Sequence, residues 1–271
     1  MNWYAPIYRD SLLFNSPMYR RERRRFVGWL LQRIRVGGAL PERLRFLDVG
    51  CGTGDALELL RDAGCRDLTG LDLAEGMLDQ ARRRLGAEVR LVRGIIERDP
   101  FAAERFDVIV AVLTVHHLHD PRAFFRAADR LLAPGGRLFL LEYNGGSPAH
   151  ARMLKRMTQR LVAPLRAIVK WKNRRALARI PDAERWFNPA HELLSWPALQ
   201  RALPAGYGAD RTSHGFFLAS FNFALVEERG SDAALIRAID VLDAFARPLG
   251  WGYFQWIAGA KPGGNVRSLS V

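Results

Sequence analysis

Cysteine is scarce: Cys51 and Cys65 are the only two in 271 residues. Two thiols can supply neither a disulfide framework nor four metal ligands, and such usage fits a reducing compartment. Long apolar runs are also missing. The longest uncharged candidate, Gly215 to Val226, falls short of the ~18 residues that a membrane-spanning helix requires. Met1 to Pro6 lacks the basic stretch and apolar core of a secretion signal. A cytoplasmic protein is the expectation, with a peripheral position at the inner membrane face as its variant. Glycine and proline are not in excess, and 49% of residues are hydrophobic, which excludes disordered, collagen-like and coiled-coil chains. The length suits one large domain carrying an insertion.

Acid is the scarcer charge. Asp and Glu number 28 against 41 Lys and Arg, leaving a formal charge of +13. Such a balance suits an anionic partner: nucleic acid, anionic lipid or an acidic small molecule. Solvated surface charge is the ordinary alternative. Two stretches concentrate the excess. One is Tyr19-Arg20-Arg21-Glu22-Arg23-Arg24-Arg25; the other runs from Tyr143 to Pro181 without a single Asp or Glu.

The apolar spacing predicts a basic amphipathic helix over Tyr19 to Ile34, ended by Gly37 and Gly38. A short apolar strand, Arg45 to Val49, then leads through glycines into a helix over Asp55 to Ala63. Strands are expected at Asp67 to Leu73, Val89 to Ile96 and Phe106 to Leu113, with helices at Ala74 to Leu85 and Pro121 to Leu132. A fifth strand follows Pro134-Gly135-Gly136, at Arg137 to Glu142. Nearly continuous apolar strands alternating with helices predict an α/β, doubly wound, mostly parallel sheet of Rossmann-like type, covered on both faces. A helix over Ala233 to Phe245 and a closing strand over Trp251 to Ala260 complete it.

Ligands of such sheets bind beyond the carboxyl ends of the strands, here at the turn after the first. Gly50, Gly52 and Gly54 let the backbone turn sharply and approach a ligand. The Gly-x-Gly-x-Gly spacing lacks the third-glycine placement of a dinucleotide fingerprint. Asp48, just before it, repels a pyrophosphate and welcomes an ammonium. Asp72, ending the second strand, can accept protons from both hydroxyls of a ribose.

The run Phe46-Leu47-Asp48-Val49-Gly50-Cys51-Gly52-Thr53-Gly54 resembles motif I of the class I S-adenosylmethionine (SAM)-dependent methyltransferases. Leu71 to Leu78 resembles that family's acidic second-strand motif. Asp107 to Leu118, with Pro134-Gly135-Gly136, resembles its fourth strand and the turn before its fifth. The likeness covers about Leu44 to Tyr143. It implies a seven-stranded sheet, SAM as cofactor, Asp72 on the ribose, Leu73 and Met77 on adenine, and the backbone around Leu113 at the methionine moiety. Where the family often has Gly-Asp-Ala after the third strand, this chain has Gly94-Ile95-Ile96-Glu97. Backbone groups of Ile95 and Ile96 could meet the ring edge, and Glu97 the exocyclic amine.

His116, His117 and His119 lack the ligand spacing of a metal site and resemble the family's connection after the fourth strand, so no metal is expected. An O or N acceptor gains from a base, for which His117 and Tyr19 are the leading candidates, followed by His191, His214 and Tyr8. Packing is the alternative for each. The single domain, 1–271, is expected to carry an N-terminal helical segment over the cofactor, 1–40, and a basic helical insertion or lid, 143–208. Within the insertion, Leu154, Met157, Leu161, Leu165 and Ile168 recur at helical spacing among Lys155, Arg156, Arg160, Arg166 and Lys170. That helix would cover the pocket or lie on an anionic membrane. Trp186, Phe187, Trp196, Phe216, Phe217, Phe221 and Phe223 could wall an apolar acceptor pocket or belong to the core. A small-molecule or lipid-like acceptor leads. RNA comes second, because the chain has no recognisable RNA-binding module and no Pro-Pro-aromatic motif of the base-nitrogen methyltransferases follows the fourth strand. A nicotinamide-dependent dehydrogenase and a non-catalytic SAM binder are the remaining alternatives.

Overall fold

The computed structural model describes residues 17–98, 100–118, 120–145, 195–215, 232–249 and 252–263. The expected lid helix at 154–170, most of the 143–208 insertion, Tyr8, His119, His191, Trp186, Phe187 and the phenylalanines between 216 and 223 lie outside them.

Strands β1 (Arg45–Val49), β2 (Asp67–Asp72), β3 (Arg90–Arg93), β4 (Phe106–Val112), β5 (Leu132–Tyr143), β6 (Gly208–His214) and β7 (Phe254–Ala260) form one sheet in the order β3-β2-β1-β4-β5-β7-β6. β1 to β5 run parallel. β7 is inserted antiparallel between β5 and β6. The order reverses beside β1, so the carboxyl ends of β1 and β4 open the crevice where such sheets hold ligands.

Local chemistry accounts for most boundaries. Helix α1 (Pro17–Val36) carries the basic run, α2 (Asp55–Asp62) follows the glycine turn, and α3 (Glu75–Leu85) follows β2. α4 (Pro121–Leu131) starts with Pro121 in its first turn and with the Asp120 carboxylate accepting from the Arg122 amide at 2.9 Å. α5 (Trp196–Ala202) has the same design: the Ser195 hydroxyl accepts from the Ala198 amide, and Pro197 lies in the first turn. α6 (Asp232–Ala246) precedes β7.

Two strand boundaries and one unexpected strand stand out against the sequence reading, and the closing strand starts at Phe254 rather than Trp251. β3 stops at Arg93 rather than Ile96: the Gly94 amide closes the ladder on the Asp72 carbonyl, and a short 3-10 turn takes Ile96–Arg98. β5 begins at Leu132, before the Pro-Gly-Gly turn, and its pairing jumps from Phe106↔Leu132 to Val108↔Arg137. The extra residues bulge there, where a Cβ on Gly136 would meet the Ala133 carbonyl at 2.8 Å. β6, a polar edge strand, gave no periodic signal.

The helices bury apolar faces on both sides of the sheet. On one side, Phe26, Leu30 and Ile34 of α1 join Phe46, Leu57 and Phe139; on the other, Phe124, Phe125 and Leu131 of α4 join Ile109, Leu138 and Ile257. Trp29 meets Phe139 edge-on, and Phe26 meets Trp256. The basic helix is also pinned by charge: Arg21 and Arg25 pair with Asp240 of α6, and Arg33 reaches Asp210 of β6 at 2.6 Å. Part of its charge therefore serves docking.

Candidate active site

The turn after β1 is held from beneath. The Gly50 and Cys51 amides both donate to the Leu71 carbonyl, at 2.7 and 3.1 Å, and the Gly54 amide closes on the Cys51 carbonyl. Gly50, Gly52 and Gly54 have φ of +70°, +53° and +83°, a region that costs other residues a steric penalty. Their environments differ. A Cβ on Gly50 would meet the Thr114 side chain at 2.5 Å, and one on Gly54 the Leu85 side chain at 2.6 Å, whereas one on Gly52 would meet no atom within 4 Å. A side chain on Gly52 would thus enter open space.

Asp48 is buried at the root of this turn, and its Oδ1 has no hydrogen-bond partner. Burial, together with the charges of Asp72 and Asp55, pushes its pKa well above the usual carboxylate range. An isolated buried carboxylate oxygen is costly unless a cation or donor completes it. Asp72, half-buried, accepts from the Gly52 amide at 2.9 Å through Oδ2 and from the Ala74 amide at 2.8 Å through Oδ1. Each oxygen keeps a second acceptor site for a ribose hydroxyl. Leu73 is exposed beside it, Met77 faces the interior, Ile96 is buried and Ile95 half-buried. The buried Oε2 of Glu97 has no partner. These groups fit SAM: a cationic amine for Asp48, a diol for Asp72, and an amine donor for Glu97.

At the end of β4 the backbone is strained. Leu113 has φ +53° while its amide bonds to the Leu141 carbonyl at 2.7 Å. The next turn is fastened by a residue that sequence reasoning passed over. Glu142, at the end of β5, is 1% exposed; its Oε1 accepts from the Thr114 and Val115 amides at 2.8 and 2.6 Å, and its Oε2 lies 2.6 Å from Nδ1 of His116. A signal was present, since Glu142 is the one acid in an otherwise apolar run, Leu138 to Leu141.

Beyond His116 lies an aromatic cluster. The His116 ring packs 5.0 Å from that of Tyr143, whose hydroxyl is 2.9 Å from that of Tyr19 on α1. Tyr143 also stacks on Phe254 and meets Tyr253 edge-on. Burial, then the neighbouring Tyr143 and Tyr253, drives the Tyr19 phenol well above its ordinary pKa, so it remains protonated at neutral pH. His117 is exposed and lies against the His116 ring at 4.0 Å. His214 is buried and stacked on Trp256, and burial pushes its pKa down to about 2, far from a useful base. Of the two leading base candidates, Tyr19 thus joins the cluster around Tyr143, and His117 lies on the outer side of His116.

Comparison with known proteins places these features in context. Residues 47–140 match the family described as a methyltransferase domain. A ubiquinone biosynthesis O-methyltransferase of Pseudomonas aeruginosa (strain UCBPP-PA14) is 32% identical over 128 residues, 46% of this chain and 53% of that protein. The biotin biosynthesis bifunctional protein BioHC of Saccharophagus degradans (strain 2-40) is 38% identical over 104 residues, 36% of this chain and 18% of that protein. The chain spans about half the length of the first of these relatives, and less of the second. The plantazolicin methyltransferase BpumL, solved with a pentazolic desmethyl-plantazolicin analog and SAH, superposes with a TM-score of 0.58 at 15% identity, covering 95% of this chain and 90% of that one. The [4+2]-cyclase SpnF superposes at 0.55 with 18% identity, covering 89% and 82%. Both structural likenesses are of fold alone.

Proposed function

We propose that this chain, whose residues 47–140 match a methyltransferase domain, is a class I S-adenosylmethionine-dependent methyltransferase that transfers a methyl group from SAM to an oxygen or nitrogen of a small-molecule or lipid-like acceptor. The single observation that carries the reading is the buried Asp48 oxygen without a partner, at the root of a glycine turn where a Cβ on Gly52 would enter open space. The oxygen acceptor is favoured by the relatives whose name specifies O-methyl transfer.

SAM, when bound, supplies a methyl carbon already activated by its positively charged sulfur. The chain's own task is to bind, orient and keep water out. Asp48 would take the ammonium, Asp72 the ribose diol, the Gly50–Gly54 turn the intervening backbone contacts, Leu73, Met77, Ile95 and Ile96 the adenine, and the strained Leu113 carbonyl side the methionine moiety. Tyr19 would border the acceptor as a neutral hydrogen-bond donor, and His117 would shield it from solvent.

The acceptor is read as anionic or membrane-associated from charge alone. Residues 146–194 carry eleven Lys and Arg against three Asp and Glu, so most of the +13 excess belongs to that insertion. No helix among the described residues is long and apolar enough to cross a membrane, and peripheral contact through the basic insertion remains part of the proposal. A second reading, SAM binding without methyl transfer, is favoured by one observation: the same fold serves a [4+2]-cyclase.

Calorimetric titration of SAM and NAD, followed by a labelled-methyl screen against lipid, small-molecule and RNA extracts, tests the proposal. SAM binding with label in the lipid or small-molecule fraction is expected. NAD binding without SAM binding overturns it, label confined to RNA overturns the acceptor class, and SAM binding with no labelled fraction supports the second reading.

A further inference from the structure

Helix α6 is apolar on both of its faces. Ile236 and Ile239 are buried in the core, Asp243 is buried with them, and Asp240 pairs with Arg21 and Arg25 of α1. With about 3.6 residues per turn, Val241, Leu242 and Phe245 point the opposite way. They are 59%, 43% and 73% exposed, and Leu249, just past the helix end, is 55% exposed. Four of the seven large apolar side chains exposed among the described residues thus lie between Val241 and Leu249. Single exposed hydrophobic residues are ordinary, but a contiguous apolar face marks a surface for something else to cover.

The charge around this face has one sign. Arg237, one turn before Val241, is exposed, and the neighbouring helix α1 exposes Arg20 and Arg24. The described acids of the two helices are buried or paired: Glu22 accepts from the Trp256 indole, Asp243 is 6% exposed, and Asp240 sits between Arg21 and Arg25. An apolar strip bordered by arginine is complementary to hydrocarbon beneath anionic headgroups.

The same charges decide between occupants. A second copy docked about a two-fold axis would bring the strip and its arginines against their own counterparts, like charge on like. The chain's other apolar stripe, Leu154 to Ile168, is interleaved with Lys155, Arg156, Arg160, Arg166 and Lys170, so seating it on α6 would also crowd cations together. We infer that the Val241–Leu249 face of α6 docks on an anionic membrane surface. Phe245 and its apolar neighbours enter the acyl boundary, and Arg237, Arg20 and Arg24 meet the headgroups. α6 leads into β7, whose first residue, Phe254, stacks on Tyr143 and meets Tyr19 edge-on. The docked helix is thereby tied to the aromatic cluster, and a membrane-dissolved acceptor gains a route to it. That role rests on the lipid-like reading of the acceptor and deepens it; the docking itself is measurable without methyl transfer.

Cosedimentation of the full chain with vesicles of phosphatidylglycerol and phosphatidylcholine in equal parts, against phosphatidylcholine alone, tests the inference. Binding to the anionic vesicles should be at least about ten-fold stronger. It should weaken as ionic strength rises from about 0.1 to about 1 M, where the screening length falls from about 10 to about 3 Å. The combined variant Val241→Gln, Leu242→Gln, Phe245→Gln should keep the fold, because all three side chains are exposed, and should lower vesicle binding by at least about ten-fold. A nitroxide on Phe245→Cys reports the face directly, since Cys51 and Cys65 are buried. The label should be shielded from a water-soluble relaxation agent on anionic vesicles and open to it in free solution.

Absence of binding to anionic vesicles overturns the inference, as does undiminished binding by the glutamine variant or a label that stays open to water on the vesicles. A dimer in sedimentation equilibrium that the glutamine variant dissolves gives the face to a second copy, and a label already shielded in the vesicle-free monomer gives it to the chain itself; either result overturns membrane docking. If the glutamine variant does not fold, the nitroxide decides alone. Vesicle binding by a protein that binds no SAM, or labels no fraction, defeats the methyltransferase reading and leaves the docking face standing.

Discussion

The two halves of the sheet differ in how they are built. From β3 to β4 each functional group arises from a local βαβ unit: Asp48 and the glycines from one turn, and Asp72 and Leu73 from the next, with hydrogen bonds that close within the same crevice. From β5 to β6 the structure is held by long-range contacts. Tyr19 meets Tyr143 across 124 residues of chain, Trp256 donates its indole N–H to Glu22 across 234, and Arg33 reaches Asp210 across 177. On the methyl-transfer proposal, a cofactor that never changes is held by a local motif, whereas an acceptor pocket made from distant elements can change one wall at a time.

The sharpest way to break this comparison is Gly52→Val. Its Cβ would meet no protein atom, so the fold should survive with only the strain of a branched residue at φ +53°. SAM binding should fall by at least about 100-fold, because the space the side chain enters is the space proposed for the cofactor. Gly50→Val should fail differently: it collides with Thr114 and should lower the melting temperature as well. Normal SAM affinity in the folded Gly52 variant, measured by calorimetry, would move the cofactor elsewhere.

The acceptor half should reveal itself through buried charge. Glu22 on α1 accepts from the Trp256 indole at 2.7 Å, and burial raises its pKa to about 7 despite the opposing pull of Arg25 and Arg21. Its folded pKa thus lies above its unfolded value near 4.5. The unfolded chain gives up the proton first as pH rises, so stability is lost between about pH 4.5 and 7 and stays lower above that window. Glu22→Gln keeps an oxygen for the indole and removes the ionisation. It should be more stable than wild type by about 2–3 kcal/mol at pH 8, with little gain at pH 4, in thermal or denaturant unfolding. Equal gains at both pH values would remove ionisation as the cause.

Asp72→Ala probes the cofactor half more gently than Gly52→Val. Loss of hydrogen bonds to a charged acceptor should weaken SAM by about 1.5–3 kcal/mol, or about 10- to 150-fold, with secondary structure unchanged by circular dichroism. Part of this loss belongs to the protein itself, since Asp72 also receives the Gly52 amide and so orders the turn. Asp72→Asn, which keeps one acceptor oxygen, should fall between wild type and the alanine variant. An alanine variant with wild-type affinity would leave the ribose unassigned.

The same division explains what the sequence made legible. Asp48, Asp72 and the glycines were readable because chemistry and spacing coincide within one short segment, and apolar runs marked β1, β2 and β4. β6 was not, because a polar edge strand such as Gly208–His214 needs no alternating pattern when one side faces solvent and its partner β7 supplies the pairing. α5 was legible in hindsight from Ser195 followed by Pro197. Glu142 and His116 escaped for a different reason. Neither is unusual alone, and only the pairing of β4 with β5 brings the acid to the amides and the ring.

The smallest effect expected is also the one that separates two roles for Tyr19. Its ring edge packs on Phe254, 5.6 Å between centroids, and Tyr19→Phe keeps that contact while deleting the hydroxyl that lies 2.9 Å from Tyr143. Removing the buried neutral hydrogen bonds of this hydroxyl, to Tyr143 and Tyr253, should cost about 1–2 kcal/mol of stability. A phenol held protonated by its burial can donate to an acceptor but cannot take its proton at neutral pH. The variant should therefore raise the acceptor KM by about two- to five-fold, leave SAM affinity unchanged and keep kcat within about two-fold, as expected when a hydrogen bond contributes equally to substrate and transition state. A fall in kcat of about 100-fold with unchanged KM would instead make Tyr19 the proton acceptor. The aromatic cluster would then form an ionisable relay rather than a neutral wall.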